Sequence, residues 1–486
     1  MSKSFLVIGG GPVGILSSIL LSKKGYEVTL VEAGEVNKEA MLGSDNYSFK
    51  SSSKFPIGVH QLGGGSNFWH GRVSQFSKRA LTSIESHNSV WPFSFEEYLQ
   101  AHTELLKFLE LPHVEAMHKV KEFICCSLCD SLFEVVPYLF SPPQLLKDML
   151  LKSTYGHNIK IFYRAYAKSI RIKNPGEKVT IEILSDSTNV PKFISADKIV
   201  VTAGCLQSTA LIHRSFPNYF ENHSAGAYLM EHFDGYIGKL KVSSKSSTPC
   251  LAKYRLGSDR KITDEIFGLG IRTKYSSSLS WHLEVAPYVR HYTFDPVVNR
   301  FNLRNRKILI TLFFTERLLF YPLNKLSLLL DRVKGLSNYS LWLKGEELPF
   351  KRSILKFNRN SETSVQKIVY NHKISTKSSL IMKRELRKFR EIIKKNHLGK
   401  IKFDWWFYIP FFFRTGGNWH PMGTLRLGFP DKGPLNESFQ LGLHNDVMVL
   451  DSSSFPIGGH HNPTSMSLTI AWLVLNKLPD VTVGQS

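Results

Sequence analysis

The chain of 486 residues is 42% hydrophobic, 12% aromatic and 21% charged, which supplies core for two or three domains of roughly 150 residues and excludes disorder throughout. Its formal net charge of +22 is unevenly placed: Arg300 to Asp404 holds 25 basic against 8 acidic residues, a net of +17, which speaks for one local docking face rather than a nucleic-acid binder. The five cysteines form no evenly spaced framework, the N-terminus lacks a secretory pattern, and apolar stretches stop well short of the roughly 18 residues of a membrane span, so a cytoplasmic protein without a spanning helix is expected.

The first predicted element is a strand. Phe5-Leu6-Val7-Ile8 is a short, continuous apolar run of the kind buried on both faces of a parallel sheet. It leads into Gly9-Gly10-Gly11-Pro12-Val13-Gly14. A helix follows, with Val13, Leu16, Ile19 and Leu20 at helical spacing, and closes at Lys23-Lys24-Gly25. Val28-Thr29-Leu30-Val31 is the second strand, ending at Glu32. This βαβ unit carries G-x-G-x-x-G: Gly9 for the tight turn, Gly11 for close approach of a pyrophosphate, Gly14 for helix–strand packing. The helix N-terminus attracts phosphate, and Glu32 is placed for ribose hydroxyls. Its carboxylate would repel a 2′-phosphate, so NADP is disfavoured and NAD and FAD remain.

Leu62-Gly63-Gly64-Gly65-Ser66-Asn67-Phe68-Trp69-His70-Gly71 is a second glycine-rich loop. Cys125, Cys126 and Cys129 contain one C-x-x-C; without a second such pair or a His pair at ligand spacing, incidental thiols are expected and no metal site is predicted. Strands are predicted at Ile159–Phe162, Ala167–Ile172 and Lys178–Ile183, separated by Asn174-Pro175-Gly176 and Ser185-Asp186-Ser187. Partial alternation from Trp281 to Tyr292 predicts antiparallel strands suited to a pocket floor.

Four further segments carry a resemblance. They are Ile199–Ser208, Tyr228-Leu229-Met230-Glu231-His232, the run His420 to Gly428 with Arg426, and Asp451-Ser452-Ser453-Ser454-Phe455-Pro456 leading to Asn462-Pro463-Thr464. Together with Val31-Glu32-Ala33-Gly34 and the Gly63–Asn67 loop, this set resembles the glucose–methanol–choline family of FAD-dependent oxidoreductases, in the family's order and over nearly the whole chain. The resemblance implies an α/β fold: a Rossmann-like FAD-binding domain with an inserted α+β substrate domain built on an antiparallel sheet. The FAD domain is expected to be discontinuous, 1–85, 155–235 and 405–486, with 86–154 and 236–404 forming the substrate domain.

By resemblance, Gly9, Gly11, Gly14, Glu32, Ala33, Ser66, Asn67, Ala167, Ala203, Asp451, Pro463 and Thr464 contact FAD. Relatives that attach flavin covalently use a His where this chain has Phe68, so noncovalent FAD is expected, with His70 the remaining residue for a link. Oxidising an alcohol needs a base within hydrogen-bond reach of the hydroxyl, and imidazole has the suitable pKa. His420 falls at the family's general base and Asn462 at its neutral donor; the bland alternatives are a core histidine and a helix cap. His460 and His461 flank the site, and His232 is read as structural. The implied partners are a small hydroxyl compound, with a sugar or polyol preferred, and an electron acceptor that the motifs do not name. Other readings are a lyase that keeps FAD as scaffold and a flavin-containing membrane-surface binding protein.

Within the basic segment, 300–404, Lys307–Phe314 and Leu326–Leu330 are apolar runs bordered by cations. From Ile381 to Lys395, Leu386, Phe389 and Ile393 share a helical face. Core packing of that face is one expectation; docking on the anionic inner face of a membrane is the other. Nucleic acid is disfavoured because no recognition motif accompanies the charge.

Overall fold

The computed structural model describes residues 3–37, 60–67, 72–74, 76, 78–81, 91–111, 132–141, 145–152, 159–172, 177–185, 191–243, 267–273, 279–287, 326, 329–331, 333–359, 366–409, 420–428, 433–442 and 444–481. Phe68, His70, Cys125, Cys126, Cys129 and the run Lys307–Phe314 lie outside them.

The opening βαβ unit forms as its sequence dictates. Ser4–Ile8 and Glu27–Val31 pair in parallel, and the helix between them, Pro12–Lys23, starts with Pro12 at its first turn, where the missing N–H costs nothing. Phe5, Leu6, Val7 and Ile8 are all buried, which explains why the strand is apolar without alternation. Three more parallel strands complete the sheet, in the order His444–Val449, Lys198–Val201, Ser4–Ile8, Glu27–Val31, Ile159–Phe162, with Gln440–Leu441 antiparallel at one edge. The ladder runs into the loops beyond: Gly9 N donates to Val31 O, Thr202 N to Ile8 O and Leu450 N to Val201 O. Beside this sheet stands a three-stranded antiparallel meander, Ala165–Arg171, Val179–Ser185 and Lys192–Ala196. Residues of the helix Phe95–Phe108, among them Tyr98 and Leu105, share the core that covers the parallel sheet.

The second sheet is antiparallel, with seven strands in the order Lys400–Phe403, His232–Ser243, Leu336–Glu346, Trp281–Pro287, Phe267–Thr273, Phe133–Phe140, Arg72–Val73. Alternation decides its two faces. Trp281, Leu283 and Val285 join a core with Met382, Leu386, Phe389 and Ile393 of the helix Thr376–Lys395. That helix therefore spends its apolar stripe on the sheet. The intervening residues His282 and Glu284 are buried on the opposite face. An α/β molecule that sets a mainly parallel sheet beside a large antiparallel one is the architecture expected from the sequence.

Candidate active site

Parallel pairing places the C-terminal ends of successive strands along one edge, where open α/β sheets bind ligands. Gly9 follows the strand Ser4–Ile8, Glu32 follows Glu27–Val31, Ala203 follows Lys198–Val201 and Asp451 follows His444–Val449. Residues far apart in the chain thus meet at one rim.

The glycines there fill separate roles. Gly9 turns with φ +100°, and a Cβ on it would lie 2.6 Å from Ala203 Cα. A Cβ on Gly14 would stand 1.9 Å from the Gly9 carbonyl oxygen, so no side chain fits. Gly11 differs: a Cβ there would meet nothing within 4 Å. It is the N-cap of Pro12–Lys23 and supplies no side-chain cap, which leaves first-turn N–H groups for an anion. The loop 60–67 docks on this turn through Gly63 N, which donates to Gly10 O at 2.7 Å. Ser66 Oγ closes its own loop on Gly63 O at 2.6 Å, and Asn67 Nδ2 donates to Leu62 O at 3.0 Å. Asn67 Oδ1 is buried with no hydrogen-bond partner among the described residues, an acceptor suited to a bound polar group.

Glu32 is buried and accepts from Gly10 N and Gly34 N, each at 2.7 Å. Burial raises its pKa, opposed by the backbone N–H groups of Gly34, Gly10 and Ala33. Each oxygen has a lone pair beyond these bonds, so the carboxylate can orient the turn and accept from ribose together. Ala165 N donates to Glu32 O, which brings Ala167, two residues on, alongside; Ala167 O accepts from Arg214 Nη2 at 3.2 Å. Asp451 works within the protein. It accepts from Gly204 N at 2.9 Å and Ser208 Oγ at 2.5 Å with one oxygen, and from Ser453 N at 2.9 Å and Ser453 Oγ at 2.5 Å with the other. Burial raises its carboxyl against those four donors. It fixes the rim at Gly204.

Asn462 is the N-cap residue of the helix Pro463–Asn476 but makes no side-chain capping bond, so its amide is not used as a cap; Pro463 and Thr464 open the first turn. His420 N donates to Glu231 Oε2 at 3.1 Å, and the rings of His420 and His232 meet edge to face at 5.4 Å. His232 Nδ1 in turn lies 3.1 Å from Gly459 O, three residues before Asn462. His420 and the start of the terminal helix are therefore linked through His232. Burial, with the Lys344 charge adding to it, pushes the His232 pKa down to about 3, so this neighbour stays neutral. Glu231 also accepts from Tyr370 Oη. Burial raises its carboxyl, opposed by His372, Tyr370 and the His420 N–H.

His232 and Glu231 thus act as supports of His420, a relationship that one loose motif match did not reveal. No local motif marks His282 in the sequence. The strand Trp281–Pro287 brings it against His460 and His461, with ring centroids 5.0 and 5.8 Å away.

No protein-family model matches the chain, and no curated protein sequence matches it. Among solved structures it is similar to the crystal structure of pyridoxine 4-oxidase from Mesorbium loti, with a TM-score of 0.57 and 15% sequence identity over 98% of this chain and 99% of that chain. At that identity the likeness is one of fold, and it extends from end to end of both chains.

Proposed function

We propose that the chain is an FAD-dependent oxidoreductase acting on CH–OH groups, with His420 as the base that takes the hydroxyl proton. The observation that carries this reading is the rim itself. A phosphate-ready turn at Gly11, a ribose acceptor at Glu32 and the unpaired Asn67 Oδ1 fit a dinucleotide. The end-to-end fold likeness to a protein named as an oxidase supports it. Held at that rim, FAD would supply the acceptor for a hydride leaving the carbinol carbon.

The chain's own residues do the rest. A free alcohol does not ionise near neutral pH, so proton removal needs an imidazole poised by its surroundings. Glu231 fixes the His420 backbone through the N–H, and neutral His232 walls its ring without adding positive charge. The Asn462 amide, not used for capping, donates to the substrate oxygen as negative charge develops there. The substrate is a small hydroxyl compound, with a sugar or polyol preferred.

The flavin is held noncovalently: acid precipitation should release it into the supernatant, and flavin in the pellet would point to a covalent link. Anaerobic bleaching of the flavin by a panel of sugars, polyols, aryl alcohols and long-chain alcohols tests the activity. Product formed without bleaching by any of them would speak for lyase chemistry instead.

A second reading concerns location. Leu326, Leu329, Leu330 and Val333 are exposed large apolar residues at helical spacing inside the basic segment, a pattern suited to peripheral docking on anionic lipid.

A further inference from the structure

His282, His460 and His461 form a buried group whose ligand-capable atoms all lie within 4.8 Å of one another. They come from two parts of the fold, the antiparallel strand Trp281–Pro287 and the segment that enters the terminal helix. The rings of His460 and His461 are 3.7 Å apart. Apolar side chains would fill such a space at lower cost, since each imidazole brings two polar nitrogens into the interior.

The surroundings match the outer shell of a metal site. His460 Nδ1 shares a hydrogen bond with Ser280 Oγ, and its Nε2 is buried with no partner among the described residues. His282 Nε2 lies 3.4 Å from Glu284 Oε1, a buried carboxyl placed to fix the ring. A second buried carboxyl, Glu346, ties the two segments together, accepting from Ser280 N at 3.0 Å and Gly459 N at 3.3 Å. Room for His282 is made on the neighbouring strand. A Cβ on Gly270 would lie 2.3 Å from His282 Cδ2, so only glycine admits the ring.

We propose that His282, His460 and His461 bind one divalent transition-metal ion of the zinc class, which clamps the antiparallel sheet to the segment carrying Asn462. Three imidazole nitrogens select zinc and its neighbours over magnesium or calcium, which take oxygen. His460 offers Nε2, with Ser280 on its other nitrogen. None of the three ligands is a dinucleotide-rim group and metal binding does not require flavin, although His461 directly precedes Asn462 in the chain.

The test uses the full chain without an affinity tag, prepared with zinc and desalted. Elemental analysis should find about one zinc per chain. His282→Ala and His461→Ala should each lower the retained metal at least ~10-fold, the scale of losing a metal-site group, whereas the exposed His397→Ala control keeps it. Should the variants not fold, cobalt loaded into the wild-type chain decides, since a nitrogen-rich tetrahedral site gives intense visible absorption. Wild-type protein that retains no zinc and shows no such cobalt spectrum overturns the proposal, as does a folded His282→Ala chain that retains zinc at the wild-type level. Flavin content and bleaching, measured alongside, report on the rim separately.

Discussion

Gly14 faces the Gly9 carbonyl so closely that a Cβ on Gly14 would stand 1.9 Å from that oxygen, whereas a Cβ on Gly11 would touch no protein atom within 4 Å. The two glycines of one motif therefore differ in surroundings: Gly14 is packed against the fold, and Gly11 faces open space that the proposed FAD would use. Gly14→Ala should destabilise the chain by about 3 kcal/mol or more, since the clash is with backbone that cannot swing away. Gly11→Ala should fold with stability within about 1 kcal/mol of wild type, because its φ of −70° suits alanine. It should nevertheless bind FAD at least ~10-fold more weakly, the equivalent of about 1.4 kcal/mol. Thermal denaturation paired with flavin titration separates the two effects; equal loss of flavin affinity and stability in Gly11→Ala would contradict them.

His420→Ala should retain FAD and fold normally but reduce the flavin at least ~10²-fold more slowly, the usual scale for loss of a general base. Asn462→Ala should lose less, because it removes one donor to the substrate oxygen and leaves the proton acceptor in place. Stopped-flow bleaching under anaerobic conditions measures both. A His420 variant that bleaches at the wild-type rate would move the base elsewhere, with His232, whose ring His420 meets at 5.4 Å, the next imidazole to replace.

Local pattern made half of this site readable. The turn from Gly9 to Gly14 and the acid at Glu32 sit inside one βαβ unit, so period and spacing were enough. The stripe Leu386, Phe389 and Ile393 was equally readable as a helical face, and the sheet it covers explains why the face is apolar. The supports of His420 were not readable in that way. His232 reaches it because a long antiparallel strand starts there, and its Nδ1 is held by Gly459 O. Ser280 and His460 are 180 positions apart, and no local period records such a pairing. Asp451, assigned to flavin by resemblance, has its two oxygens met by Gly204, Ser208 and Ser453, an arrangement that appears only once the strands are adjacent.

His102 makes the stability depend on acid. It is buried between the helix Phe95–Phe108 and the terminal helix, with Nδ1 3.0 Å from Thr469 Oγ1. Thr469 spends its own proton on Ser465 O, so His102 donates from Nδ1. Burial pushes its pKa from 6.5 down to about 4. The unfolded chain then binds more protons than the folded one between these values. Stability is whole above pH about 6.5 and falls as the pH drops towards about 4, by about 3 kcal/mol for this one residue. Denaturant midpoints across that range should flatten in His102→Gln, which has no proton to take up; an unchanged slope would assign the acid sensitivity to other groups.

The basic segment offers the last prediction. The helix Thr376–Lys395 has its apolar stripe inside the core and leaves Leu380 as its exposed large apolar residue, so lipid attraction there would rest mainly on charge. At Leu326, Leu329, Leu330 and Val333 the apolar side chains face outward, with Val333 86% and Leu329 58% exposed. Beneath them, buried Asp331 pairs with Lys241 at 2.6 Å and holds this turn to the antiparallel sheet. In the proposed docking, cations would attract the surface and leucines would enter it, and each Lys or Arg near anionic lipid adds about 1 kcal/mol. The chain should cosediment with phosphatidylserine-containing vesicles at low salt, less so at high salt, and not with neutral ones. The double variant Leu329→Ser/Val333→Ser should bind at least ~10-fold more weakly, since burying each apolar side chain is worth about 1.5 kcal/mol or more. Wild-type protein that stays in the supernatant with anionic vesicles at low salt would leave these side chains without a membrane role.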